Sequence, residues 1–361
     1  MDPRIREHAG VIAEHSVDLG AGDDVVIAAH PVASDLAVAL HEVCGDVGAN
    51  PVYLSGDDRA NRAYLRASEG EFETPEHQRA LTEAADVFVF VRANENVTET
   101  SDVDPAINAA YSRAQQPIRR ERLSKRWCLT GFPASANAQL AGMSTESYEN
   151  FVWDAVNKDW DAQREHQERM VEILDPADEV WIRSGAETDI RMSVAGNRTI
   201  NDYGEKNLPG GEVFTAPVRE SVEGSVHFDK PLYQQGREIT DVRLEFEDGR
   251  VIAHSAAKNE DVLAEILETD DGARYLGELG IGMNREIDRF TYNMLFDEKM
   301  GDTVHMAVGM AYDECVGEGN AVNESATHVD MIVDMADDSA IEVDGEVVQR
   351  DGVFVFEDGF E

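Results

Sequence analysis

The sequence predicts an α/β N-terminal domain, with a parallel sheet flanked by helices, joined to a strand-rich α+β C-terminal domain. Three observations lead there. In the first half, short apolar runs alternate with amphipathic helical segments, the pattern of a parallel sheet covered on both faces. Beyond about residue 184 the runs become short strands separated by Gly, Pro and Asp turns. The 361 residues, 42% of them hydrophobic, suffice for two cores at ~100–200 residues each. The expected domains are therefore 1–184 and 185–361.

The elements follow in chain order. "DDVVIAAH" (23–30) reads as a short buried strand and 34–49 as the helix after it. "NPVYLSG" gives a second strand; "PEHQRALTEA" leads as a helix into the strand "ADVFVFVRA" (85–93). The next helix, "DPAINAAYSRAQQPIRRERLSKR", is expected to break at Pro117, and "WCLTGFP" follows as a strand. Residues 144–174 read as one long amphipathic helix, opened by Ser144 with Glu146 in its first turn. In the second half, "VRLEFEDGRVIAHSA" and "VDGEVVQRDGVFVF" carry hairpin signals, and "NEDVLAEILETDDGARYLGEL" is a helix interrupted near 270–272.

Composition narrows the function classes. The chain carries 73 acidic against 31 basic residues, a net charge of −42, and only six of the basic residues are lysines. Acid spread along a globular chain predicts adaptation to a salt-rich cytoplasm, where high ionic strength screens self-repulsion. No basic stripe exists to neutralise phosphates, so a nucleic-acid partner is not expected. No stretch approaches the ~20 apolar residues of a membrane helix, and the charged start "MDPRIREHAG" lacks the apolar core of a secretion signal. Cys44, Cys128 and Cys315 are widely spaced, which fits a reducing, cytoplasmic interior.

The first half has neither a GxxxxGK[ST] nor a GxGxxG phosphate loop, nor a Gly-x-Ser-x-Gly elbow. Its histidines (His8, His15, His30, His41, His77, His166) are scattered and read as structural or solvated. The second half is richer. In "ATHVDMIVD" (326–334), His328 and Asp330 leave a strand on the same face, opposite Val329, Met331, Val333 and Met335. That pair is either a metal clamp or the wet side of a half-buried strand. His305 lies in the apolar strand of "DEKMGDTVHMAVGMAY" (297–312), with Tyr312 seven residues later. Glu212 follows two glycines in "GGEVFTAP", and Glu278 stands among apolar residues where a helix gives way to a strand. Imidazoles with carboxylates suit zinc, cobalt or manganese, and a shared acid suits a pair of ions. The long separations follow no short motif.

Taken in order, "GEVFTAPVRESVEGSVHFDKPL", "LEFEDGRV", "DDGARYLGELGIG", "DEKMGDTVHMAVG" and "HVDMIV" resemble the aminopeptidase T family of dinuclear metallopeptidases, also called the thermophilic metalloprotease family. The resemblance spans most of the chain; with the acidic composition it suggests a halophilic archaeal member. It implies that Glu212, Glu278, His305, His328 and Asp330 bind two divalent metal ions (Zn, Co or Mn), with Glu278 as bridge. It makes Glu278 and Tyr312 catalytic, peptides the substrates and a homodimer the assembly. The implied activity is release of N-terminal residues from peptides. A dinuclear hydrolase of another small amide or ester, or a non-catalytic small-molecule-binding protein on the same fold, are the rival readings.

Overall fold

The computed structural model describes residues 1–234 and 236–360. It divides into two compact units: Met1–Lys158 with Gly204–Gly210, and Asp159–Tyr203 with Gly211 onward.

The first unit starts with helix α1 (Pro3–Val11), whose N-cap Asp2 accepts from the Arg4 amide and whose first residue is proline. Strands β1 (Asp24–Ala29), β2 (Asn50–Ser55), β3 (Val87–Arg92) and β4 (Arg126–Gly131) pair in parallel in the order β2-β1-β3-β4, and the short β8 (Asn207–Leu208) returns beside β4. Parallel neighbours need crossovers, supplied by α2 (Ser34–Val47), α3 (Asp58–Ala67), α4 (Glu76–Ala84) and α5 (Pro105–Leu123); α6 (Ser135–Leu140) and α7 (Thr145–Val156) complete the unit. The central strands are buried almost throughout, as predicted for a sheet covered on both faces.

Two expectations change here. Helix α5 runs unbroken through Pro117, because that residue is exposed and the carbonyl it leaves unpaired can bond water. The segment 144–174 is two helices. Ser144 caps α7, accepting from the Ser147 amide at 3.1 Å, and the helix stops at Asn157. Asp159 then caps a new helix, α8 (Trp160–Leu174), accepting from the Ala162 amide at 3.0 Å.

His8 in α1 is fully buried, its Nε2 2.7 Å from Thr130 Oγ1, which donates in turn to the Leu208 carbonyl at 2.8 Å. The threonine proton is thus committed, and His8 Nε2–H donates to the hydroxyl. Burial pushes the His8 imidazole down to about 3. The unfolded chain takes up this proton near pH 6.5 and the folded chain does not, so the stabilisation is complete above that pH and lost as pH falls. Wild type should lose about 2 kcal/mol relative to His8→Gln between pH 7.5 and pH 5. Parallel pH dependence of the two denaturation midpoints would show that His8 titrates normally.

The second unit is antiparallel. One sheet has eight strands in the order β14-β13-β10-β6-β5-β18-β19-β20; they are β5 (Glu179–Ser184), β6 (Thr188–Ser193), β10 (Glu223–Phe228), β13 (Val242–Glu247), β14 (Arg250–Ser255), β18 (Ser339–Val343), β19 (Glu346–Arg350) and β20 (Val353–Phe354). Both predicted hairpins, β13–β14 and β18–β19, lie in it. The other has five strands in the order β17-β16-β15-β9-β7: β7 (Ile200–Asp202), β9 (Glu212–Thr215), β15 (Leu276–Gly282), β16 (Thr303–Gly309) and β17 (His328–Asp334). The ribbon β11 (Leu232–Gln234)–β12 (Arg237–Ile239) and helices α9 (Glu260–Leu267) and α10 (Met294–Asp297) fill out the unit. Ile182, Ile190, Val226 and Leu244 of the larger sheet share one buried cluster with Val213, Leu279, Ile281, Val304, Met306, Val329, Met331 and Val333 of the smaller. The five-stranded sheet therefore spends one face on the core, and its other face is free for polar residues.

Helix α8 lies in this second unit, so the units part at residue 158 rather than near 184. Its buried glutamines are the reason. Gln163 donates to the Met283 carbonyl at 3.2 Å, and Gln167 to the carbonyls of Glu212 at 2.7 Å and Asp202 at 3.1 Å. Amides that satisfy buried carbonyls tie the helix to those strands.

Candidate metal centre

All five sequence-predicted donors sit on the non-core face of the five-stranded sheet. The register brings them together. Glu278 and Asp330 both pair with Ala307, from opposite sides of β16, and His305 pairs with Gly280. Glu212 pairs with Gly282 one strand further on. Small residues at Gly280 and Ala307 leave room for the longer side chains to converge. A β-carbon at Gly280 would overlap the His305 ring, so glycine there lets the imidazole lean across β15 toward Glu212. Gly211 has φ +117°, and a β-carbon there would collide with Asn284. The close backbone approach expected before Glu212 is real.

The donor atoms form two groups, Glu212–Glu278–His305 and Glu278–His328–Asp330, with Glu278 common to both. His305 Nε2 lies 3.1 Å from Glu212 Oε2 and 3.2 Å from Glu278 Oε1. His328 Nε2 lies 3.6 Å from both Glu278 Oε2 and Asp330 Oδ1. Donors bonded to one ion at ~2.1 Å stand about 3.0–3.4 Å apart in octahedral or tetrahedral arrangement, close to these separations.

Hydrogen bonding gives an independent test of fit. His328 Nδ1 donates to the Met310 carbonyl at 2.8 Å, which turns Nε2 toward the carboxylates, as a metal-binding imidazole requires. At 3.6 Å it hydrogen-bonds neither of them. His305 Nε2 carries at most one proton and faces two carboxylates, with hydrogen-bond geometry to Glu278 alone. Glu212 Oε2 and Glu278 Oε2 are left buried without hydrogen-bond partners. Such orphaned acceptors are costly in a native interior. The residues fit divalent ions.

Charge agrees with this. Burial opposes its charge, yet Glu212 and Glu278 hold the His305 imidazole well above its ordinary value. Burial also pushes His328 down, and Asp330, then Glu278, reverse this to bring it up to about 10. Burial raises Asp330, but His328, His305 and Lys299 bring it down to about 2. Glu278 is raised, chiefly by burial and then by the charge of Asp330. Without metal, protons on the imidazoles balance the carboxylates; a bound cation takes their place.

Tyr312 stands at the edge, its ring centroid 5.1 Å from that of His328 and 6.0 Å from Phe214. Although 38% of the residue is exposed, its hydroxyl is held well above 10, by low-dielectric surroundings first and then by Glu278, Asp330, Glu298 and Glu212.

Sequence reasoning missed Lys299, Glu298 and Asp202. Lys299 is fully buried, with Nζ 3.0 Å from Glu212 Oε1, paired with Glu298 Oε1, and 4.0 Å from Asp202 Oδ2. Burial would neutralise it, but Glu212, Glu298 and Asp202 hold its ammonium well above the ordinary lysine value. Burial, with the charges of Glu212 and Asp330, raises Glu298 to about 7 against the pull of Lys299. One signal was available: lysine is so rare in this chain that each one retained invites a reason.

Comparisons with known proteins agree with the geometry. The family model of the thermophilic metalloproteases (M29) matches residues 1–360. Aminopeptidase AmpS of Bacillus subtilis is 31% identical over 294 residues, 70% of each chain. Wild-type AmpT from Thermus thermophilus has the same fold, with TM-score 0.86 and 24% identity over 98% of this chain and 99% of that one. A 2,5-dihydroxypyridine dioxygenase from Pseudomonas putida shares the fold more distantly, with TM-score 0.59 and 14% identity over 98% and 97% of the two chains. The architecture thus hosts other chemistry, and activity must be argued from the site. On the family match and the relative's identity, this chain belongs to the thermophilic metalloprotease (M29) family.

Proposed function

We propose that this chain is a metal-dependent aminopeptidase that uses two divalent cations, one held by Glu212, Glu278 and His305, the other by Glu278, His328 and Asp330. The observation that carries the number two is charge. Glu212, Glu278, Asp330, Glu298 and Asp202 make five carboxylates against the single ammonium of Lys299. With the imidazoles neutral and all acids ionised, four negative charges remain, which two divalent ions match. Ions bound there would polarise the scissile carbonyl and lower the pKa of water.

The chain's own groups do the rest. Glu278, common to both donor groups, fixes the two positions relative to each other. Tyr312 donates its hydroxyl proton in a hydrogen bond to the carbonyl oxygen as negative charge develops on it. The surrounding acids attract the free ammonium of a peptide's first residue, which limits cleavage to the chain end. A non-catalytic relative would not be expected to keep every donor.

The finer reading is of a halophilic, cytoplasmic, archaeal homodimer. Its support is the net charge of −42 and three buried cysteines, together with the assembly implied by the family resemblance. One set of assays tests both levels. In molar potassium chloride, chelation should abolish release of N-terminal residues from short peptides, and cobalt, zinc or manganese should restore it. Full turnover by metal-free protein would refute the mechanism. On dialysis to ~0.1 M salt the Debye length grows from ~3 Å to ~10 Å, and circular dichroism and sedimentation should report lost structure or dissociation. An unchanged melting temperature and sedimentation coefficient would leave the halophile reading without support.

A further inference from the structure

Among the described lysines, Lys299 alone is fully buried. Its position is unusual for an ion pair that merely stabilises a fold. Its ammonium contacts one oxygen of Glu212, Oε1 at 3.0 Å, and is itself anchored by Glu298, with Asp202 at 4.0 Å. The other oxygen of Glu212, Oε2, points at His305 Nε2 from 3.1 Å and has no hydrogen-bond partner. Behind it, the Glu212 carbonyl accepts from Gln167, and Gln167 accepts from Gln163 at 2.7 Å. Glu212 is therefore held at its backbone and at one carboxylate oxygen, and only the second oxygen is offered to the site.

A carboxylate can bind a cation through one oxygen or both. Given the metal centre proposed above, on which this inference rests, we propose that Lys299 is a positioning residue that withholds Oε1 of Glu212, so that Glu212 ligates through Oε2 alone. A second oxygen on the ion would fill a coordination position, and hydrolytic sites keep one open for water or substrate. An ammonium suits this role: it is a compact point charge with three donors, enough for Glu212 and Glu298 together, where a planar guanidinium would need more room. The residue touches no substrate; it acts through Glu212.

Cobalt(II) reads coordination directly, because its visible d–d absorption weakens as coordination number rises to six. Metal-free wild type, Lys299→Met and Lys299→Met/Glu298→Gln are titrated with cobalt in molar salt, and absorption per bound ion is compared. The double variant removes one negative charge with the positive one, and carries the test if the single variant does not fold without metal; both can be refolded with cobalt present. The expected result is unchanged stoichiometry, weaker absorption per ion in the variants, and kcat on cobalt-loaded protein lower by about 10–100-fold with little change in KM. A wild type that takes up no cobalt defeats the metal-centre reading itself. If wild type binds cobalt, an unchanged spectrum in the variants, or failure of both variants to bind it, overturns the assignment of Lys299.

Discussion

Replacing Glu278 with glutamine is expected to remove bound metal and turnover together. Glu278 is the one residue shared by the two donor groups, and its oxygens face different imidazoles, Oε1 toward His305 at 3.2 Å and Oε2 toward His328 at 3.6 Å. Glutamine keeps the shape but turns one oxygen into an amide nitrogen, a poor donor to a hard cation, and removes the negative charge shared by the two donor groups. Removing groups that only orient ligands costs about 10–100-fold in affinity or activity, so a shared ligand should cost at least that for each ion. Elemental analysis and kcat measured on the same preparation decide the matter. A Glu278→Gln protein that retains two ions per chain would show that the carboxylate does not bridge them.

Tyr312→Phe is expected to separate catalysis from metal binding. The ring packs at 5.1 Å from His328 and 6.0 Å from Phe214, contacts that phenylalanine preserves, so metal content and melting temperature should hold. The hydroxyl is the loss. Held well above 10 by its surroundings, it stays protonated and can donate to a developing oxyanion. Losing one such donor typically costs on the order of 10²–10³ in turnover. The fall should appear in kcat with KM little altered, since the bond strengthens as charge develops. If Tyr312 is only a packed ring at the rim of the sheet, the variant will turn over normally, and the residue has no catalytic role.

Local pattern was legible wherever a physical rule acts over a few residues. The alternation in 326–334 placed Val329, Met331 and Val333 on one face and His328 with Asp330 on the other, and the strand buries the first set in the core. Gly-Glu in "GGEVF" announced a close backbone approach that the Gly211–Asn284 contact bears out. The five residues that the family blocks point to are the ones whose side chains the fold gathers into two groups. The breaks were less legible. Whether Pro117 interrupts a helix depends on which side of the helix meets water, and whether 144–174 is one helix or two depends on a cap at Asp159. Periodicity contains neither fact. Nor did it assign α8 to the second unit, because Gln163 and Gln167 look like surface residues until carbonyls of β7, β9 and Met283 accept from them.

The site itself was decided by tertiary structure. Residues 212 and 330 are far apart in the chain, and strand register brings their carboxylates, with His328 beside Asp330, to one place. Ala307 pairs with Glu278 on one side and Asp330 on the other, and Gly280 admits the His305 ring. A shift of one residue in either pairing would send a donor to the core face. Lys299 follows the same logic. In the sequence it is one basic residue in an acidic chain; only the fold, by excluding water around three carboxylates, makes its charge the counterweight of the site. Sequence determines which side chains are available on each face, because alternation is local, whereas register and burial set which of them meet, because those depend on strands distant in the chain.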